Sequence, residues 1–161
     1  MKAAKEGKVK IPLFTRLFLF FFYICNMPTA VITGATQGIG KAIAEKFLKE
    51  GYDLAICART TNDLRDLHDN WEDRFPERKI FMQNVDVQDK ILVKKFAHNL
   101  QEEFPRIDVL VNNAGSYLPG NLTEEPEGQL EHLIEVNLYS AYHLTRALLP
   151  ALLRNGKGHI F

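Results

Sequence analysis

Three glycines follow an apolar run in "AVITGATQGIGKAIAEKF", Ala30 to Phe47. Gly34 stands where the run stops, and Gly38 and Gly40 stand where a helical pattern begins. A turn this tight needs residues free to take positive φ, and a pyrophosphate can approach backbone only where no Cβ intervenes. The first turn of a helix adds free N–H groups and a partial positive charge. The chemistry on offer is anion binding. Glycines here could also form a bare turn, but a strand before and a helix after favour the phosphate.

The elements around that turn alternate. "TAVIT" reads as an apolar strand, and Ile39, Ala42, Ile43, Phe47 and Leu48 recur at helical spacing until Gly51. "YDLAICA" is a second strand. A helix capped near Asn62 follows, with Leu64, Leu67, Trp71 and Phe75 on one face. "KIFMQNV" is a third strand, and a helix from about Gln88 carries Ile91, Leu92, Phe96, Leu100 and Phe104. "IDVLVN" is a fourth. The polar loop "SYLPGNLTEEPEG" then leads to a long helix with Leu130, Leu133, Ile134, Asn137, Leu138, Ala141, Leu144, Leu148 and Leu152. Pro150 should kink or divide that helix. "GHIF" begins a fifth strand. Strands alternating with helices predict right-handed crossovers and a doubly wound parallel sheet with helices on both faces. Continuous apolar strands fit burial on both sides. Asn137 interrupts an apolar stripe and needs a partner.

The spacing Gly-x-x-x-Gly-x-Gly after Thr33 resembles the short-chain dehydrogenase/reductase family. "NNAG" at Asn112–Gly115, "VDV" at Val85–Val87 and "EVNLYSAYHLTRALLP" with Asn137 stand where that family carries its signatures. The resemblance covers nearly everything from Pro28 to Phe161, and implies a Rossmann-type fold cut within strand five. It also assigns roles. Gln37, Gly38, Ile39 and Gly40, after Gly34, would line the pyrophosphate turn, and Thr36 would reach a phosphate or the adenosine ribose. Asp86, beside Val87, would accept from the adenine amino group. Asn113, Ala114 and Gly115 would back the nicotinamide ribose, and Asn112 would tie neighbouring strands. Asp86 also reads as an ordinary strand-end turn residue.

The cofactor follows from "ICART". Proteins that bind NAD place a carboxylate at the end of strand two, on the ribose 2′-hydroxyl. Here Ala58 holds that position and Arg59 comes next. A guanidinium there can hold a 2′-phosphate through charge-assisted hydrogen bonds, so NADP(H) is expected. The alternative for Arg59 is a solvated turn residue.

The family's reaction is hydride transfer between the nicotinamide and a carbonyl or alcohol carbon. The resemblance implies a tyrosine as proton donor, a lysine four residues later, a serine on the substrate oxygen and an asparagine supporting the lysine. Of these only the asparagine, Asn137, is matched. No tyrosine has a lysine four residues on: Tyr23, Tyr52, Tyr117, Tyr139 and Tyr142 meet Met27, Ile56, Asn121, His143 and Arg146. The expectation is therefore the cofactor-binding part of an NADP(H)-dependent oxidoreductase, incomplete at its C-terminus and inactive alone. The alternative is a non-catalytic NADP(H)-binding module or sensor. The expected partners are a small carbonyl or alcohol substrate and, for the full-length protein, further copies of itself.

Twenty basic and twenty acidic residues give zero net charge, which argues against nucleic acid. The cysteines Cys25 and Cys57 and the five histidines show no metal-ligand spacing, so no metal is expected. A reducing compartment, the cytoplasm, is expected. The sequon at Asn121 reads as chance. Residues 1–26 form a separate extension before a domain spanning 27–161. Four lysines precede "IPLFTRLFLFFFYIC", whose unbroken apolar part, Leu17 to Cys25, is about half the roughly 20 residues of a membrane span. Three readings stay open: an upstream translation with Met27 as the true start, a weak membrane anchor in residues 11–25, or an extra packed element.

Overall fold

The computed structural model describes residues 27–161 together with Pro12. The three readings of the N-terminal extension lie outside the described residues.

Strand β1 (Thr29–Thr33) is buried along its whole length. It pairs in parallel with β2 (Asp53–Ala58), from Thr29 opposite Asp53 to Thr33 opposite Cys57. β3 (Ile80–Asn84) lies beyond β2, while β4 (Val109–Val111) and β5 (His159–Ile160) extend the other edge of β1. The order β3-β2-β1-β4-β5, all parallel, is the expected doubly wound arrangement.

Alternate strand residues point to opposite faces, and each face carries its own core. Ala30, Ile32, Leu54 and Ile56 pack with Leu48 of α1 (Gly38–Lys49) and with Leu64, Leu67 and Trp71 of α2 (Thr61–Arg74). Val31, Ala55, Cys57 and Leu110 pack on the other side. There they meet Phe96 and Leu100 of α3 (Lys90–Glu103) and residues of the long last helix. Trp71 is fully buried, and its indole Nε1 donates to Glu45 of α1 at 3.3 Å, so the two helices on that face are also joined by a polar contact.

Several expected details shift. The helix after β2 begins at Thr61 with Thr60 as N-cap, ahead of the cap anticipated at Asn62. The next begins at Lys90 rather than Gln88. Asp89 stops it there by accepting from the backbone N–H groups of Ile91 (2.7 Å) and Leu92 (3.1 Å).

Pro150 does not divide the last helix, which runs on to Arg154. Pro150 and Arg146, whose carbonyl loses its intrahelical donor, are both exposed, so water can satisfy that carbonyl. The irregularity falls earlier. α4 (Gln129–Ile134) passes through a π-helical turn at Glu135–Tyr139 into α5 (Ser140–Arg154). The wider turn rotates the sequence pattern, so Leu130 and Leu138 face solvent while Val136 and Ser140 are buried. Ser140 donates its hydroxyl to the Val136 carbonyl. Ile39 and Ile91, which fit the helical apolar spacing, are exposed in the first turns of α1 and α3.

Candidate functional site

Parallel strands end on the same side, and here the chain order reverses between β1 and β4. A cleft of about 380 Å³ opens beyond the strand ends at this switch point, where open α/β sheets bind ligands. The segments following β1, β2, β3 and β4 all contribute to its walls.

The three glycines of the first turn have different tasks. Gly34 (φ +64°) and Gly38 (φ +56°) take the left-handed backbone that other residues rarely adopt. A Cβ on Gly34 would stand 3.0 Å from the Cα of Ala114, whereas one on Gly38 would meet only open space. Gly40 has no positive φ. A Cβ there would lie 2.3 Å from the Asn113 amide nitrogen and 2.4 Å from the Gly34 carbonyl oxygen. Gly34 and Gly38 therefore shape the turn, and Gly40 lets α1 close against the end of β4.

α1 begins on this cleft. Its N-cap, Gln37, is extended and makes no side-chain cap bond, and no acidic residue stands in the first turn. The positive end of a 12-residue helix is thus left to whatever the cleft holds.

Every residue singled out from the sequence as cofactor-binding lines the cleft except Gly38. Gly34, Thr36, Gln37, Ile39 and Gly40 form one wall, Arg59 a second, Asp86 and Val87 a third, and Asn113, Ala114 and Gly115 a fourth. Asp86 also closes a turn, with its Oδ1 accepting from the Gln88 backbone N–H at 3.1 Å. The Asn113 side-chain amide donates to the carbonyls of Thr33 (2.9 Å) and Gly34 (3.0 Å). Asn112 ties β4 to the end of β5, its backbone N–H donating to the Phe161 carbonyl at 2.8 Å, and its side chain reaches Thr145 of α5.

Asn137 does not line the cleft. It sits inside the π-helical turn and clamps Ser116, donating to its carbonyl and accepting from its N–H, both at 2.8 Å. The residue expected on an apolar stripe is instead exposed, and Ser116 is its partner. The bond anchors the start of the loop after Gly115.

Sequence reasoning missed Thr60, Asp63, Gln88 and Val136 in the cleft wall, and the role of Thr33. The Thr33 hydroxyl accepts from the backbone N–H groups of Asn113 (3.0 Å) and Ala114 (2.9 Å). Its signal was a hydroxyl at the last position of an otherwise apolar central strand. Val136 carried none, because its position depends on the π-helical turn.

Burial pushes the Cys57 thiol up to about 12, against a weaker opposing hydrogen bond from Gly34, so it stays protonated at neutral pH. Among the described residues, no group of His, Cys, Asp and Glu is placed to hold a metal ion. No helix among them is long and apolar enough to cross a membrane.

Residues 28–161 match the family model described as short chain dehydrogenase. An uncharacterized oxidoreductase of Staphylococcus saprophyticus is 33% identical over 131 residues, covering 81% of this chain and 56% of that protein. An NADP-dependent 3-hydroxy acid dehydrogenase of Shigella flexneri is 29% identical over 81% of this chain and 51% of its own length. Among solved structures, an alcohol dehydrogenase from the archaeon Thermococcus sibiricus, complexed with 5-hydroxy-NADP, superposes with a TM-score of 0.79. It is 34% identical over 84% of this chain and 57% of that one. The chain thus spans about half the length of the relatives it matches. The match over 28–161, the strand order and the glycine turn lead to one conclusion: the chain belongs to the short-chain dehydrogenase family.

Proposed function

We propose that residues 27–161 bind NADP(H) in this cleft as the cofactor-binding part of an oxidoreductase that interconverts carbonyl and alcohol groups of a small substrate. The observation that carries the reading is Arg59 in the cleft wall, next to Ala58 at the strand end where an NAD-specific site would place a carboxylate. The NADP-dependent relative and the NADP-containing structure point the same way.

The residues fit the group. The uncapped start of α1 and the open space beside Gly38 suit a pyrophosphate. Arg59 would hold the 2′-phosphate by charge-assisted hydrogen bonds. Thr36 would hold a phosphate or the adenosine ribose, Asp86 the adenine amino group beside Val87, and the Asn113–Gly115 backbone the nicotinamide ribose. When bound, NADP(H) supplies or accepts a hydride. Asn137 fixes Ser116 and so the entrance of the loop that leaves the nicotinamide end.

No Tyr-x-x-x-Lys occurs in the 161 residues. We therefore assign this chain binding without turnover, with proton transfer left to residues of the kind that the family carries further along its sequence. In a longer protein the reading is a cytoplasmic oxidoreductase that associates with further copies of itself. A nucleotide-binding module without catalysis is the second reading, favoured by the same missing pair.

Titrating the chain with NADPH and NADH, and following nucleotide fluorescence, tests the proposal. Tighter NADPH binding by roughly ten- to a hundredfold is expected from one charged phosphate contact. Equal affinities, or no binding of either, would overturn it. Oxidation of NADPH by the chain with a panel of ketones would refute the assignment of binding without turnover.

A further inference from the structure

We infer that Asn84 is a positioning residue for the 2′-phosphate end of the cleft, acting through the main chain of Arg59. The inference rests on the NADP(H) reading above.

The β2–β3 ladder closes with Ala58 opposite Asn84, and the last backbone rung is donated by Val85 N–H to the Ala58 carbonyl at 3.0 Å. Beyond it the strands part: β2 turns into α2, and β3 turns towards Asp86. The next carbonyl on the β2 side, that of Arg59, has left the reach of the neighbouring backbone. The side-chain amide of Asn84 takes that place and donates to the Arg59 carbonyl at 2.6 Å. One side chain thus adds a rung to the sheet where the main chain can no longer do so.

The position of that rung gives it a consequence for binding. Arg59 is the single residue between the last strand residue, Ala58, and the N-cap of α2, Thr60, which itself makes no side-chain cap bond. Asn84, Arg59 and Thr60 are all exposed, so this turn is not held by burial. Arg59 and Thr60 line the cleft; Asn84 does not. Fixing the Arg59 carbonyl fixes the direction in which its Cα–Cβ bond leaves the turn. The guanidinium then searches a smaller volume before meeting a phosphate, which reduces the ordering cost of the contact. A group that acts this way should matter for ligands carrying a 2′-phosphate and be nearly silent for those without one.

The experiment uses the 161-residue chain with 2′,5′-ADP and 5′-AMP as probes, measured by calorimetry, with thermal unfolding followed in parallel. Asn84→Leu keeps the size and removes the donor; Asn84→Gln keeps the donor. The expected result for Asn84→Leu is a loss of about 3- to 10-fold in affinity for 2′,5′-ADP, the scale of one hydrogen bond, with 5′-AMP changed less than about twofold. Asn84→Gln should lie nearer the parent. Equal weakening of both probes would show a merely structural tie and overturn the inference, as would unchanged affinities in Asn84→Leu or a Gln variant as impaired as the Leu one. A parent chain that does not prefer 2′,5′-ADP overturns the NADP(H) reading and this inference together. A parent that does, with variants that keep the full preference, overturns the inference alone.

Discussion

Asn113 donates twice to Thr33, once from main chain to side chain and once from side chain to main chain. The Thr33 hydroxyl accepts from the Asn113 backbone N–H at 3.0 Å, and the Asn113 side-chain amide donates to the Thr33 carbonyl at 2.9 Å. The end of the central strand and the end of β4 are thereby locked at the point where the ladder between them has stopped.

Replacing Thr33 by Val keeps the shape and removes the acceptor. The Asn113 N–H retains a second acceptor in the Val111 carbonyl (3.1 Å), whereas Ala114 N–H loses the hydroxyl that it meets at 2.9 Å. A destabilisation of about 1–3 kcal/mol is expected in denaturant unfolding, the cost of one unsatisfied, partly buried donor. NADPH affinity should fall with it, since Ala114 lines the cleft.

The glycines should separate by experiment. Gly40→Ala drives a methyl group into the Asn113 amide and the Gly34 carbonyl, so the Thr33–Asn113 lock must open. Nucleotide binding should be lost and the melting temperature should fall sharply. Gly38→Ala meets no protein atom, so its folding cost is that of its left-handed backbone, about 1–2 kcal/mol, while its methyl group enters the space proposed for the pyrophosphate. It should fold and bind, more weakly. A Gly40→Ala chain that binds like the parent would contradict the packing role.

Arg59→Ala should abolish the preference for NADPH over NADH, lowering NADPH affinity by roughly ten- to a hundredfold while leaving NADH nearly unchanged. Competition titration with both nucleotides gives the two numbers directly.

The strands and the glycine turn were legible because they depend on nearest neighbours: apolar runs of strand length, then residues able to turn. The face assignment of α2 was also legible, since Leu64, Leu67 and Trp71 keep an undisturbed helical period. The last helix was not. Its period slips at the π-helical turn, and that turn coincides with Asn137 holding Ser116, 21 residues away. No local pattern encodes such a pairing. Asn137 was expected on an apolar stripe but is exposed, and its partner is main chain that only the fold brings near. In the cleft, the glycines of the turn were found from spacing, and Thr36, Gln37 and Ile39 beside them from the family resemblance. Asp63 and Thr60 were missed because they look like ordinary first-turn helix residues, and only the placement of α2 brings them to the wall.

Cys57 gives a pH-dependent prediction. Burial raises its thiol from 9.0 to about 12 in the folded chain. Above pH 9 the unfolded chain releases this proton while the folded chain keeps it. The unfolded state then binds fewer protons, and stability falls as pH rises. The contribution of this thiol is complete below about pH 9 and is lost progressively as pH approaches about 12. In a Cys25→Ser background, the stability difference between the parent and Cys57→Ala should shrink across pH 9–11. Iodoacetamide should label Cys57 only at the rate of unfolding.

β1 is joined to β2 by five paired residues but to β4 by only three, Ala30 to Ile32 against Val109 to Val111. The cleft straddles that shorter seam, with the glycine turn on one bank and the Asn113–Gly115 segment on the other. A dinucleotide lying across it would act as a staple between two halves of a sheet. Its binding energy would then appear as slowed amide hydrogen exchange in β4 and β5, strands that supply little of its direct contact surface. Exchange in β2 and β3, already held by the longer ladder, should change far less.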